Sequence, residues 1–167
     1  MQDTDIRIQT ATSADAATIL AMTILFRNHL ERMQPGDQQF AAFIPRLLAS
    51  QDASFFLAYI ADEALGYILL RYRDSMWVNG KEATVEDLFV DPAKRKNGVG
   101  RALVTHALAH AAASGCVAAC LDTNEFNLAS TRIYRDLGFN DHSQRWNGRQ
   151  VFFRKALAST ATPVTAS

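Results

Sequence analysis

The most informative part of this 167-residue sequence is residues 86–101, which read EDLFVDPAKRKNGVGR. Its first five residues favour a strand, and the Asp91-Pro92 pair ends that strand because proline has no amide hydrogen to donate. Two glycines, at positions 98 and 100, then open a helix whose apolar residues recur at helical spacing through Ser114. The stretch therefore predicts a strand that leads through a basic, glycine-containing turn into a helix.

The predicted turn has the properties of an anion-binding site. The first amides of a helix have no acceptor within the helix, and they lie at the positive end of its dipole. A side chain at Gly98 or Gly100 would keep a phosphate away from those amides, and glycine adopts a positive φ at little cost. The turn matches neither the nucleotide P-loop nor the dinucleotide fingerprint. The turn therefore predicts a diphosphate ligand that is bound by neither of these two known motifs.

Apolar periodicity and turn signals predict the elements on either side of this turn. In chain order, the whole set is a strand at 6–9, helices at 14–32 and 40–48, strands at 55–60, 65–72 and 82–90, a helix at 98–114, a strand at 116–121, a helix at 127–137, and strands at 139–146 and 150–155. Asn79-Gly80 and Asn147-Gly148 are the hairpin signals in this order. The predicted fold class is α/β, with four helices and a mixed, mostly antiparallel twisted sheet of about seven strands.

Composition narrows the class of protein. With 49% apolar residues the chain can build a sizeable core, so we expect one domain over residues 1–157 and a disordered, Ala/Ser/Thr-rich tail over 158–167. Seventeen basic and seventeen acidic residues cancel, which argues against nucleic acid as a partner. The first residues are polar, and no apolar run approaches the roughly 18 residues that span a bilayer. A cytoplasmic protein without a membrane partner is predicted.

The cysteines and histidines do not predict a metal site. Cys116 and Cys120 lie four residues apart on a predicted strand, about 13 Å, which is too far for a disulfide. His106 and His110 lie four residues apart on a predicted helix, but the sequence lacks the adjacent glutamate of a zinc protease motif. We expect two reduced core thiols, two surface histidines and no metal.

Three motifs in order resemble those of the GNAT family of N-acetyltransferases. They are residues 86–92, the pattern Arg95-x-x-Gly98-x-Gly100, and the pattern Asn127-x-x-Ser130-x-x-x-Tyr134-x-x-x-Gly138-Phe139. The resemblance covers nearly the whole chain. It implies the GNAT fold, acetyl-CoA as co-substrate, and direct transfer of the acetyl group to an amine. Residues 86–90 with Ser130 are more weakly similar to spermidine/spermine-type diamine acetyltransferases.

The resemblance also implies an acetyl-CoA site. Leu88, Phe89 and Val90 would hold the acetyl carbonyl and the pantetheine arm through backbone groups. The turn would hold the pyrophosphate, and its residues are Arg95, Lys96, Asn97, Gly98, Val99, Gly100 and Arg101. Asn127 would hydrogen-bond the pantetheine arm, and its position also predicts a side-chain cap on the last helix.

Two residues are candidates for proton transfer. The resemblance implies that Tyr134 protonates the departing thiolate. A phenol of pKa about 10 and a thiol of about 8.5 make full transfer uphill by roughly 2 kcal/mol, so hydrogen bonding to the thiolate is an alternative role. An amine of pKa near 10 is neutral only about one part in a thousand at pH 7. We expect Glu86 to be the general base, or else a structural or substrate-anchoring carboxylate. Asp87, expected on the opposite face of the sheet, is the second candidate for either role.

The acceptor is less well defined by the sequence. Glu86, Asp87, Asp122 and Glu125 offer negative charge around a cation, which favours a small amine such as a diamine or a polyamine. Two alternatives stay open: a protein N-terminus or lysine as acceptor, and a non-catalytic acyl-CoA sensor that keeps the fold without the chemistry. The edges of the final hairpin would also allow a homodimer.

Overall fold

The computed structural model of the protein describes residues 5–143 and 145–157, so the tail predicted over 158–167 lies outside the described residues. Five strands and four α-helices make up this part of the chain. In order they are β1 (Arg7–Thr10), α1 (Ala16–His29), α2 (Asp37–Leu48), β2 (Ala53–Ile60), β3 (Glu63–Ser75), β4 (Gly80–Val90), α3 (Val99–Ala113), β5 (Cys116–Leu121) and α4 (Leu128–Asp136). Short 3₁₀ turns precede α1 and follow β4.

The strands form one sheet in the order β1-β2-β3-β4-β5. Neighbouring strands are antiparallel except for β4 and β5, which run parallel. The predicted hairpin forms between β3 and β4, where Ser75 pairs with Gly80 and Asn79 adopts a left-handed φ of 52°. The α/β class, the mixed sheet and the four helices are confirmed.

Helices cover both faces of the sheet. Alternate residues of a strand point to opposite faces, so each central strand contributes to two cores. The core under α3 and α4 includes Phe56, Ile68, Leu70, Leu103 and Val104. The opposite core, under α1 and α2, includes Ile19, Phe55, Leu57, Tyr67 and Phe89.

The last two predicted strands are not formed in the described residues, which reduces the strand count from seven to five. The Asn147-Gly148 turn does form, with one antiparallel bridge between His142 and Arg149. Beyond it, the apolar side chains of residues 151–153 are between 61% and 87% exposed. A two-stranded ribbon is marginal unless a further strand or a helix supports it. Since this hairpin does not join β5, the ladder ends after a single bridge.

Strands β4 and β5 share only part of their length. Their ladder begins at the pair Lys81–Cys116 and ends at the pair Val85–Leu121. Strand β5 stops there, whereas β4 continues to Val90 beside β3. In the part of the chain that the structure describes, one edge of β4 therefore has no strand partner over residues 86–90. We call this gap the β4–β5 opening.

Candidate active site

The β4–β5 opening presents a strand edge with which an extended ligand can pair. Such an edge carries amide and carbonyl groups that need hydrogen-bond partners. Leu88, Phe89 and Val90 lie in this half of β4. Their side chains pack into the two cores, and Phe89 stacks on Phe26 of α1 with ring centroids 5.1 Å apart. Asp91 N donates to Leu65 O, so by the alternation of an antiparallel ladder Phe89 uses its backbone groups with Tyr67 of β3. The backbone groups that face the opening are therefore those of Leu88 and Val90.

The turn between β4 and α3 has the backbone shape of an anion cradle. Lys96 and Gly98 adopt left-handed φ values of 71° and 78°. The first hydrogen bond of α3 runs from Ala102 N to Gly98 O (3.0 Å), so the amides of residues 99–101 have no acceptor within the helix. No side chain caps the helix at Gly98, and a Cβ there would have no atom within 4 Å. Free amides beside open space fit a diphosphate such as that of acetyl-CoA.

Gly100 is a site of close packing. A Cβ at this position would lie 3.4 Å from Ile133 Cδ1 of α4 and 3.8 Å from Val90 Cγ2 of β4. These are ordinary contact distances, so a methyl group at this position would touch both side chains. The absence of a side chain lets the start of α3 lie close to the end of β4. The free amides are consequently adjacent to the β4–β5 opening.

The two arginines of the turn already have partners within the protein. Arg95 Nε donates to the carbonyl oxygen of Val90 (3.0 Å), and Arg101 forms an ion pair with Asp136 of α4. Lys96 and Asn97 are exposed, and Lys96 has no ion pair among the described residues. For an incoming anion, the backbone amides and Lys96 are thus more accessible than the two guanidinium groups.

A β-bulge in β4 places two carboxylates on one face of the sheet. Asp87 opposes Leu69, whereas Val85 opposes the next residue of β3, so Glu86 is an extra residue without a partner. The extra residue interrupts the alternation of side chains. Glu86 Oε2 lies 3.7 Å from Nη1 of Arg71, which shares the face of Leu69. The prediction that Glu86 and Asp87 face opposite sides is therefore wrong, because both face the side of α1 and α2.

The two carboxylates have different surroundings. The Glu86 side chain is 50% exposed and lies beside Arg71 at the surface. Asp87 is more enclosed and accepts a hydrogen bond from the Tyr67 hydroxyl (3.2 Å). Burial raises the pKa of Asp87 to about 6; the charge of Glu86 adds to this effect, and the Tyr67 hydrogen bond opposes it. Asp87 therefore titrates closer to neutral pH than an ordinary aspartate does.

Tyr67 is a functional candidate that sequence reasoning missed. It is fully buried, and burial together with the charge of Asp87 raises the pKa of its phenol far above the usual value, so the group stays protonated. The Thr23 hydroxyl of α1 donates to Ile19 O (2.8 Å) and lies 3.5 Å from the Tyr67 oxygen. The available signal was a tyrosine inside the apolar run of β3, since a buried phenol usually has a polar partner.

Tyr134 lies on the opposite face of the sheet from Asp87. Its ring packs edge-on against Phe139, with centroids 5.9 Å apart, in the core of α3 and α4. Burial raises the pKa of Tyr134; the Ser130 hydroxyl opposes this effect, and the charge of Asp122 adds to it. Tyr134 is thus a weaker acid than a free phenol. The structure does not bring it into contact with Glu86 or Asp87.

A cavity of about 710 Å³ adjoins Tyr134. It is bounded by the end of β5, by α4 and by residues 149–152. Thr131 Oγ1 is buried in its wall and has no hydrogen-bond partner among the described residues. A buried hydroxyl without a partner is a group that a ligand or water can satisfy.

Asn127 stands at the predicted start of α4, but its side chain makes no capping hydrogen bond. Its Nδ2 instead donates to Thr123 Oγ1 at 3.4 Å. The predicted side-chain cap is therefore wrong, because the amide group turns towards the preceding loop. The residue is exposed, so its side chain is accessible to a ligand.

The histidines of α3 are partly buried, and each packs against the core on one side. His106 and His110 lie edge-on to Phe56, with ring centroids 5.1 and 4.9 Å away. Cys116 and Cys120 are both free thiols. Within residues 5–143 and 145–157, no three His, Cys, Asp or Glu side chains gather as a metal site requires. No helix in those ranges is long and apolar enough to cross a membrane.

Sequence comparison identifies relatives of this chain. Residues 22–139 match the acetyltransferase (GNAT) family. The chain is 28% identical over 159 residues to aminoglycoside N(6')-acetyltransferase type 1 of Stenotrophomonas maltophilia, a match that covers 92% of this chain and 95% of that protein. It is 35% identical over 95 residues to mycothiol acetyltransferase of Thermobispora bispora, a match that covers 56% of this chain and 31% of that protein.

Structure comparison agrees with the sequence matches. The aminoglycoside N-acetyltransferase AAC(6')-Iy, solved in complex with CoA, has a TM-score of 0.71 to this chain at 22% identity, over 92% of this chain and 96% of that one. The family match over residues 22–139 includes the β4–β5 opening, the turn, α3 and Tyr134. This chain therefore belongs to the acetyltransferase (GNAT) family, the acetyl-CoA-dependent N-acetyltransferases that its three motifs resemble.

Proposed function

We propose that this chain transfers the acetyl group of acetyl-CoA directly to a primary amine of a small polycationic molecule. The β4–β5 opening is the observation that carries the proposal. It has free helix amides at one end, an unpaired strand edge along its length, and two carboxylates on the face of α1 and α2. The free helix amides suit a diphosphate, and the unpaired strand edge suits an arm that contains amides. The two carboxylates suit a cationic acceptor at the reactive end of that arm.

In this proposal the chain holds acetyl-CoA mainly through its backbone. The amides of residues 99–101, with Lys96, bind the diphosphate. The backbone groups of Leu88 and the N–H of Val90 pair with the amides of the pantetheine arm, as an added strand would, since Val90 O already accepts from Arg95. A backbone N–H of the same edge donates a hydrogen bond to the acetyl oxygen and stabilises the negative charge that develops there. Asn127 gives the arm a further polar contact from the start of α4.

Tyr134 acts on the departing sulfur by hydrogen bonding rather than by full proton transfer. A phenol of ordinary pKa, about 10, is a weaker acid than a thiol of about 8.5, so transfer is uphill by about 2 kcal/mol. Burial raises the pKa of Tyr134 and makes transfer less favourable still. A hydrogen bond to sulfur stabilises the charge that develops as the C–S bond breaks, without requiring transfer.

Acidic side chains at the opening favour a cationic acceptor. Val85 opposes Leu121 at the end of the parallel ladder, so Glu86 and Asp122 follow paired residues on neighbouring strands. Of the roles predicted for Glu86, we propose anchoring, because its half-exposed carboxylate is accessible to an ammonium group. The relative from Stenotrophomonas maltophilia is an aminoglycoside acetyltransferase, and aminoglycosides, like polyamines, carry several ammonium groups. Both classes are therefore the first acceptors to test.

A panel assay tests the proposed function. Thiol release from acetyl-CoA is measured with diamines, polyamines, aminoglycosides, and peptides that carry a free N-terminus or lysine, and mass spectrometry locates the acetyl group. We expect release with at least one polycationic small molecule and acetylation of its primary amine. Acetylation of peptides alone would contradict the small-molecule assignment. Binding of acetyl-CoA without turnover on any acceptor would overturn catalysis in favour of a sensor.

We also propose that the chain forms a homodimer through its C-terminal segment. Val151 and Phe152 line the cavity beside β5, and Phe153 is 87% exposed. Contact with a second copy would remove this apolar surface from water and cover the outer edge of β5. Sedimentation velocity over a range of concentrations should show a dimer, and Phe153→Ser should weaken it. A monomer at every concentration would contradict this assembly.

A further inference from the structure

Acetyl transfer requires a proton acceptor, because an ammonium group has no lone pair with which to attack a thioester. Glu86 and Asp87 face the same side of the sheet, but only Glu86 lies beside a cation, Arg71. The Glu86 carboxylate is therefore already engaged in an ion pair. The partner of Asp87 is instead the neutral Tyr67 hydroxyl, at 3.2 Å. The surroundings of Asp87 are therefore better suited to reversible protonation.

On the basis of the proposed function, we propose that Asp87 accepts the proton of the acceptor's ammonium group and that Tyr67 is a positioning residue for the Asp87 carboxylate. The Tyr67 ring is fixed between Phe55 and Phe89, with centroid distances of 6.1 and 6.3 Å. Its hydroxyl contacts Oδ2 of Asp87. In the described part of the chain no hydrogen bond occupies Oδ1, and we assign this oxygen to the amine.

Atoms and charge balance in this step. Asp87 takes one proton from R–NH₃⁺ and leaves a neutral amine. The nitrogen lone pair forms the N–C bond with the acetyl carbon, the C–S bond breaks, and its electron pair leaves with sulfur. One of the two remaining N–H protons passes to sulfur, and Asp87 releases its proton to solvent. The products are the N-acetylated amine, free CoA thiol and one proton.

Neighbouring groups act on Asp87 in opposite directions. The charge of Glu86, on the same strand, raises the pKa of Asp87, whereas the hydrogen bond from Tyr67 on β3 lowers it. The other side chains beside these groups are Thr23 and Phe26 of α1 and Arg71 of β3. Single substitutions at Glu86 and Tyr67 should therefore move the titration of Asp87 in opposite directions.

The direction in which each variant moves the pH profile follows from the form of Asp87 that accepts a proton. Asp87 is active as the carboxylate, and with a pKa of about 6 this form is lost as the pH falls through 6. The wild-type kcat/KM should thus show an acidic limb near pH 6, well below the pKa of the amine. Glu86→Gln removes a charge that raises the pKa, so the limb moves to lower pH. Tyr67→Phe removes a hydrogen bond that lowers the pKa, so the limb moves to higher pH.

The experiment compares pH profiles of kcat/KM for the wild type, Glu86→Gln, Tyr67→Phe and Asp87→Asn, with an amine that the wild type acetylates. We expect opposite shifts in the first two variants, and in Asp87→Asn loss of the limb with kcat lower by about 100-fold. Tyr59→Phe, on β2 towards the edge of the same sheet, is the matched control and should keep the wild-type limb. Unshifted limbs in both Glu86→Gln and Tyr67→Phe, or a wild-type limb in Asp87→Asn, would overturn the proposal.

A second measurement does not depend on catalysis. NMR of ¹³C-labelled aspartate follows the Asp87 carboxyl in the free proteins, and circular dichroism checks that Tyr67→Phe folds. Glu86 is half exposed, so Glu86→Gln tests the same titration at little risk to folding. An Asp87 pKa that does not respond to either substitution would overturn the proposal even in an active enzyme. The expected NMR shifts without acetyl transfer to any amine would instead overturn the proposed function, and the role of Asp87 with it.

Discussion

The two halves of β4 show how one strand can be both scaffold and site. Residues 80–85 lie between β3 and β5, and Ala83 and Val85 are buried there. Residues 86–90 pair with β3 alone and begin with the bulge at Glu86. The first half uses its backbone groups within the sheet, whereas the second has backbone groups and carboxylates available to a ligand. The candidate active site thus lies where the pairing of β4 with β5 is interrupted. We call residues 80–85 the paired half of β4 and residues 86–90 its open half, and substitutions in each half should have different effects.

The largest effect is expected where the open half meets α3. Gly100→Glu adds negative charge beside the free amides and a side chain in contact with Ile133 and Val90. We expect acetyl-CoA affinity to fall by about 100-fold, or roughly 3 kcal/mol, in isothermal titration calorimetry. Thr105→Glu, exposed on the same helix, carries the same charge as a control. Wild-type affinity in Gly100→Glu would refute the diphosphate assignment.

The paired half should respond in stability rather than in binding. Val85→Ala removes two methyl groups from a residue that is 4% exposed, and we expect unfolding free energy to fall by about 2 kcal/mol in urea titrations. Leu88→Ala, in the open half, removes a side chain that is only partly buried and should cost less stability. Acetyl-CoA affinity should stay constant in Val85→Ala. Equal losses of stability at the two positions would remove the distinction between the halves.

A smaller effect is expected at Tyr134, across the opening from the carboxylates. Tyr134→Phe keeps the ring packed against Phe139 and removes the hydroxyl, so kcat should fall by about tenfold while the Kd for acetyl-CoA is unchanged. Stopped-flow and equilibrium binding separate the two quantities. Tyr72→Phe is the matched control, since its buried hydroxyl has no partner among the described residues. Full turnover in Tyr134→Phe would exclude this hydroxyl from the mechanism.

The smallest effect is expected from the charges of the turn. Lys96→Ala should weaken acetyl-CoA binding by about threefold at low salt and less at high salt, because an exposed charge is screened. Arg101→Ala should have a smaller effect on binding, since that guanidinium is already paired with Asp136. Calorimetry at two ionic strengths measures both. A larger loss in Arg101→Ala would show that the Arg101 side chain leaves Asp136 to bind the ligand.

Signals confined to neighbouring residues predicted much of the fold. Asn79-Gly80 gives the β3–β4 hairpin, and Gly98 adopts the positive φ that its place before α3 suggests. Apolar periodicity gives α3 and β5 nearly to the residue. These features depend on local backbone geometry and on one apolar face, both of which are visible in a short window of sequence.

The wrong predictions depend on contacts between distant parts of the chain. The bulge at Glu86 is a property of the pairing with β3, and Tyr67, which holds Asp87, lies 20 residues before it. The final hairpin depends on a neighbouring strand for its stability, which its own turn signal does not report. The ion pair of Arg101 with Asp136 is a further contact between distant residues, because it joins α3 to α4. Sequence alone therefore proposes the candidate residues, but their orientation and charge state need the structure.

The bulge also has a consequence for insertions and deletions. Glu86 is one residue more than the ladder between β3 and β4 requires, since its neighbours Val85 and Asp87 oppose consecutive residues of β3. Deleting it would join those neighbours and leave every later side chain of β4 on its present face. The strand would lose its local bend, because bulges twist and bend the strand that contains them. We expect such a deletion to preserve the fold while it straightens β4 beside the β4–β5 opening. A single residue would then decide whether Glu86 and Asp87 can both face the side of α1 and α2.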